Sequence, residues 1–171
     1  MNWDALGAIS EAIGALAVVV TLVYLATQIR YAKLAASDSK RLTRANGVRD
    51  MYMAQAQDPS LSMALAKFDP VGDGYWRSYA DAYGASVEEA ICVDSQNHYY
   101  FWLHWGQFAS SKTPEDIAEL RNVVRGFYTV PYVRHSWENA PYAKRLLEPR
   151  FVEFVDAIIS EADADAGDGR S

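Results

Sequence analysis

From Ala5 to Ala26 the chain is an almost unbroken apolar run, interrupted near its start by Ser10 and Glu11. It is long enough to supply the about 20 residues that a helix needs to cross a bilayer. Only Asp4 carries a side-chain charge before it, and no Lys or Arg stands upstream, unlike the basic start of a secretory signal. The run passes into Thr27, Gln28, Ile29 and Arg30 without a small-residue cleavage site. Ala15 to Val20 is apolar all round, and a helix without a polar face belongs in lipid rather than on a soluble core. Residues 1–29 therefore read as one transmembrane helix.

Its flanks give it a direction. Arg30, Lys33, Lys40, Arg41 and Arg44 all follow the span. Basic residues next to a span stay on the cytoplasmic side, which puts the amino terminus outside and the rest of the chain inside. The same five residues are candidate contacts for anionic lipid headgroups. Trp3 and Tyr31 lie near the two ends, where aromatic rings favour the interface.

One stripe of this helix differs from the rest. Gly7, Gly14, Thr21 and Gln28 recur every seven residues, and Glu11 falls four after Gly7. Small residues let helices approach closely and polar ones bond across the contact. Ser10 and Gly14 add a small-xxx-small pair. These five stripe residues are candidate helix–helix contacts, pointing to a homo-oligomer or a membrane-protein partner. Glu11 also reads as an interfacial carboxylate, or as one member of a ring in a homo-oligomeric channel.

The 171 residues carry a net charge of −6 and are 13% aromatic. Beyond the span they suffice for one modest domain with its own core. The acidic balance argues against a nucleic-acid partner. Cys92 is the single cysteine, so no intrachain disulfide forms.

Periodicity and punctuation give helices and no alternating strand pattern. The class is all-α: an N-terminal transmembrane helix continuing into a small cytoplasmic helical bundle. Residues 30–57 read as a juxtamembrane helix, with Ser37–Ser39 as its candidate bend and Ala45, Val48, Tyr52 and Gln55 on one face. The cytoplasmic domain covers 58–162. Asp58 and Pro59 open a short helix over about 60–68 that carries Leu61, Ala64, Leu65 and Phe68. Residues 69–85, with Pro70, Gly72, Gly74 and Gly84, read as a loop with at most one turn near Tyr75–Tyr83.

Ser86 and Glu89 form a capping box opening a helix to about residue 109, with Ile91, Ser95, His98, Trp102 and Trp105 in register. Thr113 and Pro114 start the next, with Ile117, Leu120, Val124 and Phe127 as its face. A further helix covers Tyr132 to Pro141. The last starts near Pro149 and ends near Ala162, with Phe151, Phe154, Val155 and Ile158 inward. Residues 163–171 read as an acidic flexible tail.

Catalytic signals are sparse. Asp94 and His98 stand one helical turn apart, a spacing that lets a carboxylate orient an imidazole. Their plain reading is a structural hydrogen bond beside a Tyr and Trp core; the other adds His104 and makes an enzyme or small-ligand sensor pocket. His98, Trp102 and Trp105 are candidates for a partner or ligand groove, since Tyr and Trp favour interfaces. Cys92 shares the four-residue spacing with Glu88 but reads as a small buried hydrophobe. Asp163 and Asp165 fall short of a calcium loop, which needs a closing Glu. No metal, cofactor or catalytic set is assigned.

Several stretches together resemble a widespread group of small bacterial proteins. They are Trp3, Gly7, Glu11 and Gly14 through Arg30, then Asp58 to Leu61, Asn97 to Tyr100, Trp137, and Pro149 to Asp156. The resemblance implies one span in the bacterial inner membrane and a helical cytoplasmic domain, with no established activity to carry over. The expected role is that of a membrane-anchored interaction protein, an accessory subunit or adaptor.

Overall fold

The computed structural model describes residues 3–168, without the side chains of residues 3–6, 9, 10, 59, 62, 65 and 168. The expected ring of Trp3 at the headgroups, the side chains of Ser10 and Leu65, and residues 169–171 of the tail lie outside the described residues. Among the described residues the chain is all-helical: α1 (Trp3–Gln57), α2 (Pro59–Ala66), α3 (Pro70–Tyr83), α4 (Val87–Ser110), α5 (Pro114–Tyr128), α6 (Pro131–Asn139) and α7 (Pro149–Asp168). The chain divides into two units, residues 1–40 and 41–171.

The first unit is one long apolar helix. Its stretch from Glu11 includes an 18-residue window of mean hydropathy 2.1, none of it buried, which makes it long and apolar enough to cross a membrane. Thr21 and Thr27 turn their hydroxyls onto the carbonyls of Ala17 and Tyr24, at 2.8 and 2.6 Å. Helical backbone continues through Ser37–Ser39, as this Ala-, Lys- and Arg-rich stretch contains no Pro or Gly to break the backbone ladder.

The second unit is organised by α4, which packs against α2, α3, α5 and α6. Its aromatic register meets the register of α5, α6 and α7. Phe101, Val124, Tyr128, Val133, Trp137, Phe151 and Val155 are fully buried in one cluster, which Ala45 of α1 also joins. Phe101 stacks on Tyr128 at 5.3 Å between centroids and meets Trp137 edge-on at 5.1 Å. Gly106 of α4 faces Ala45 and Leu42 of α1, where an added Cβ would lie 3.8 and 3.9 Å away, in ordinary contact.

Three expectations change. Residues 70–83 form helix α3 rather than a loop. Asp69 caps it by accepting the Gly72 amide at 3.1 Å, Pro70 occupies its first turn, and Gly84 ends it at φ 62°. Gly84 is where a residue without Cβ is required, because left-handed backbone is costly for others. Phe68 is 85% exposed and Leu61 is also exposed, whereas Ala66 is buried; α2 ends before Phe68.

The third change is at the carboxyl end, where α7 continues past Ala162 to Asp168. Arg134 holds Asp163 with both terminal nitrogens, at 2.6 and 2.7 Å, Arg125 holds Asp165 at 2.5 Å, and Arg121 holds Glu161. Steps of four on both α5 and α7 mean that these helices run in the same direction.

Truncating the ring at the centre of this cluster leaves a cavity that its neighbours cannot close. Phe101→Ala is expected to lower the unfolding free energy by about 3–5 kcal/mol, read from urea denaturation of the detergent-solubilised protein.

Candidate functional site

The capping box at Ser86 and Glu89 fixes the start of α4, and from there the helix sets Asp94 and His98 one turn apart on a buried face. Helix α3 then brings two donors to the same carboxylate. Tyr75 donates its hydroxyl to Asp94 Oδ1 at 2.8 Å, and the Trp76 indole N–H donates to Oδ2 at 3.1 Å. His98 Nδ1 lies 2.9 Å from the Asp94 carbonyl oxygen and 3.4 Å from Oδ1. A carbonyl oxygen only accepts, so Nδ1 carries the proton. Tyr52 of α1 stacks on the imidazole at 4.9 Å.

The polar set extends inward. Asn97 donates to Ser136 Oγ at 2.9 Å, with Tyr75 Oη 3.4 Å from the same oxygen, and Tyr79 donates to the Tyr132 carbonyl at 2.9 Å. Through these bonds α3, α4 and α6 share one hydrogen-bonded interior. Ser136 is fully buried, and its hydroxyl has the partners that a buried polar group requires.

Beside the pair is a cavity of about 200 Å³, lined by α1, α3, α4 and the segment 140–142, with Asp69, Trp76, His98 and Tyr142 among its walls. Burial alone would raise the Asp94 pKa, but the facing His98 and the donors His98, Trp76 and Tyr75 outweigh it and hold the carboxyl below its ordinary range. Burial alone would lower the His98 pKa; the charge and hydrogen bonds of Asp94 reverse this and lift it above 6.5. The two opposite shifts favour the ion-paired form. Burial, and then the Asp94 charge, push the Tyr52 phenol up to about 12. Asp94 contributes stability that is lost as pH falls through its depressed pKa, and His98 contributes stability that is lost as pH rises through its raised one.

The other candidates lie elsewhere. His104 is buried away from this cavity, stacked near Tyr100 and edge-on to Phe127 at 5.2 Å, so the three-residue pocket with Asp94 and His98 does not form. Burial lowers its pKa to about 4, and its Nδ1 finds no partner among the described residues. Trp102 and Trp105 are buried in the main cluster, edge-on at 5.3 Å, and do not line the His98 cavity.

Cys92 is partly buried, and burial followed by Glu88 and Glu89 raises its thiol pKa, which suppresses the reactive thiolate. Gly7, Glu11, Gly14, Thr21 and Gln28 are all exposed, as are Arg30, Lys33, Lys40, Arg41 and Arg44. Thr21 has its hydroxyl committed to its own helix, so its proton is not spare for a neighbour. No group of three or more metal-ligating side chains occurs among the described residues.

Sequence reasoning missed Tyr75 and Trp76, because their segment reads as a loop. The available signal was Asp69 followed by Pro70, the same cap-then-proline pattern that marks Thr113 and Pro114.

Two outcomes follow from these environments. Asp94→Asn removes the charge that lifts His98, so the imidazole should titrate below 6.5 in an NMR pH series, with about 1–3 kcal/mol of stability lost in urea. His104 stays neutral in the fold while the unfolded chain protonates near 6.5; acidification from about 6.5 to about 4 should therefore remove about 3 kcal/mol of stability. Thermal melts of His104→Phe should lose that slope. Comparison with protein-family models, curated protein sequences and solved structures finds no match to this chain.

Proposed function

We propose that this chain is a membrane-anchored interaction protein: a single span with its amino terminus outside and its helical domain in the cytoplasm, serving as an accessory subunit or adaptor. The observation that carries this reading is the unburied apolar helix. Ile13, Leu16, Val20, Leu22 and Val23 each stay about 60% exposed or more. A contiguous apolar surface of that length is not stable in water and calls for lipid or protein around it. Arg30 and Lys33, exposed at its end, favour the cytoplasmic side by the positive-inside rule. The resemblance to small single-span bacterial proteins supports the bacterial inner membrane.

The partner contact falls to the stripe of Gly7, Glu11, Gly14, Thr21 and Gln28. An added Cβ at Gly7 or Gly14 meets nothing within 4 Å, so neither glycine is required by packing within the chain. Their smallness is of use to a neighbouring helix. The remainder of the second unit acts as a small helical bundle that presents the anchored protein to its partner.

Crosslinking and pull-down from native membranes should recover one partner, either a second copy or another membrane protein. Gly14→Leu should reduce that recovery at least fivefold while the protein remains membrane-inserted. A strictly monomeric detergent-extracted species with no co-purifying protein, seen by native mass spectrometry, would contradict the reading.

A further inference from the structure

The Asp94–His98 pair is not a closed structural bond, because one end of it faces space. His98 has only 6% of its side chain exposed, its Nδ1 is committed to Asp94, and its ring forms part of the cavity wall. The raised pKa favours a proton on Nε2 as well. That nitrogen is not one of the buried polar atoms sealed off without a partner, and the ring stands on the cavity wall, where a ligand can meet it. On the same cavity stands the Asp69 carboxylate, which takes the Gly72 amide and the Tyr142 hydroxyl through Oδ1, at 3.1 and 3.4 Å. A Cβ at Gly72 would come within 2.7 Å of Oδ2 and 3.4 Å of the Trp76 ring, so the glycine makes room for that carboxylate.

A donor and a carboxylate on one small wall ask for opposite charges on one ligand. An anion alone would satisfy His98 but face Asp69. A cation alone would satisfy Asp69 and the aromatic lining but leave Nε2–H unmet. The volume, about 200 Å³, lies below the about 300–1,000 Å³ of larger ligand sites and suits a molecule of few heavy atoms.

We propose that this cavity binds a small zwitterion of the amino-acid or betaine class. Its carboxylate accepts from His98 Nε2–H, and its ammonium lies at Asp69 among the rings of Tyr52, Tyr75, Trp76 and Tyr142. Aromatic faces attract such cations, the more so when water is displaced. Asp94 acts as a positioning residue: it holds the imidazole in orientation and keeps it charged. The proposal is independent of the membrane reading, since every residue it uses belongs to the unit 41–171.

The test uses the full chain in nanodiscs, titrated with glycine betaine and with proline. Binding is read by calorimetry and by the Trp76 indole N–H resonance, which sits on Asp94. At least one zwitterion should bind saturably and shift that resonance, with choline and propionate at least tenfold weaker.

Asp69→Asn keeps the helix cap, because Asn caps as well as Asp, and should weaken binding at least tenfold. His98→Gln should do the same. Melting curves confirm that both variants fold. Should His98→Gln fail to fold, the wild type supplies the same answer, because affinity must fall as pH rises and His98 loses its proton. Absence of saturable binding by both zwitterions, choline binding as tightly as betaine, or affinity insensitive both to Asp69→Asn and to the protonation of His98 would each overturn the proposal.

Discussion

A carboxylate withdrawn from water must be met by donors or by positive charge, and Asp94 is met by both. Only 5% of it is exposed, yet Tyr75, Trp76 and His98 all address it. This demand shapes the domain around it. Helix α3 is rich in Gly, Asp and Tyr, weak helix formers. It is held in place by what its side chains give to α4. Ser136 and Asn97 continue the same satisfaction of polar groups toward α6. Without the donors of α3 the carboxylate would lie buried and under-satisfied, and the helix would keep only its apolar contact of Tyr79 and Ala80 with Ala90.

Two strategies of burial divide the chain. In residues 41–171 aromatic rings carry the packing, with Phe101, Tyr128, Trp137 and Phe151 in edge-on and stacked contact. Such pairs add specificity to area, since each ring constrains the angle of the next. In residues 1–40 the apolar side chains have no such partners and remain exposed along the helix. The first arrangement completes itself within the chain; the second is complete only with an environment around it.

The readable part of this molecule was the part whose signals are local. Ser86 with Glu89 and Thr113 with Asp116 are caps made within four residues, and both form as the spacing requires. The buried faces of α4, α5 and α7 follow from a period that any helix must obey. The pairing of Asp94 with His98 was legible for the same reason. The partners from α3 were not, because Tyr75 and Trp76 are helical through tertiary bonds that no window of sequence contains. The final turns of α7 escaped likewise: Asp163 and Asp165 look like a solvated acidic tail until Arg134 and Arg125, about 30 to 40 residues earlier, are placed beside them. Trp102 and Trp105 looked like surplus aromatic surface because the depth of a core cannot be read from one helix.

Four buried polar atoms, Arg49 Nε, His104 Nδ1, Trp105 Nε1 and Tyr128 Oη, have no partner among the described residues. None of them belongs to Tyr75, Trp76, Asp94, Asn97 or Ser136, whose polar groups meet one another. For a protein engineer the contrast is a map. Apolar replacements of matching shape at His104 and Tyr128 offer a route to a hardier scaffold, because natural domains seldom sit at their stability optimum. The Asp94 network, in contrast, admits little change, because every substitution there strands someone else's proton.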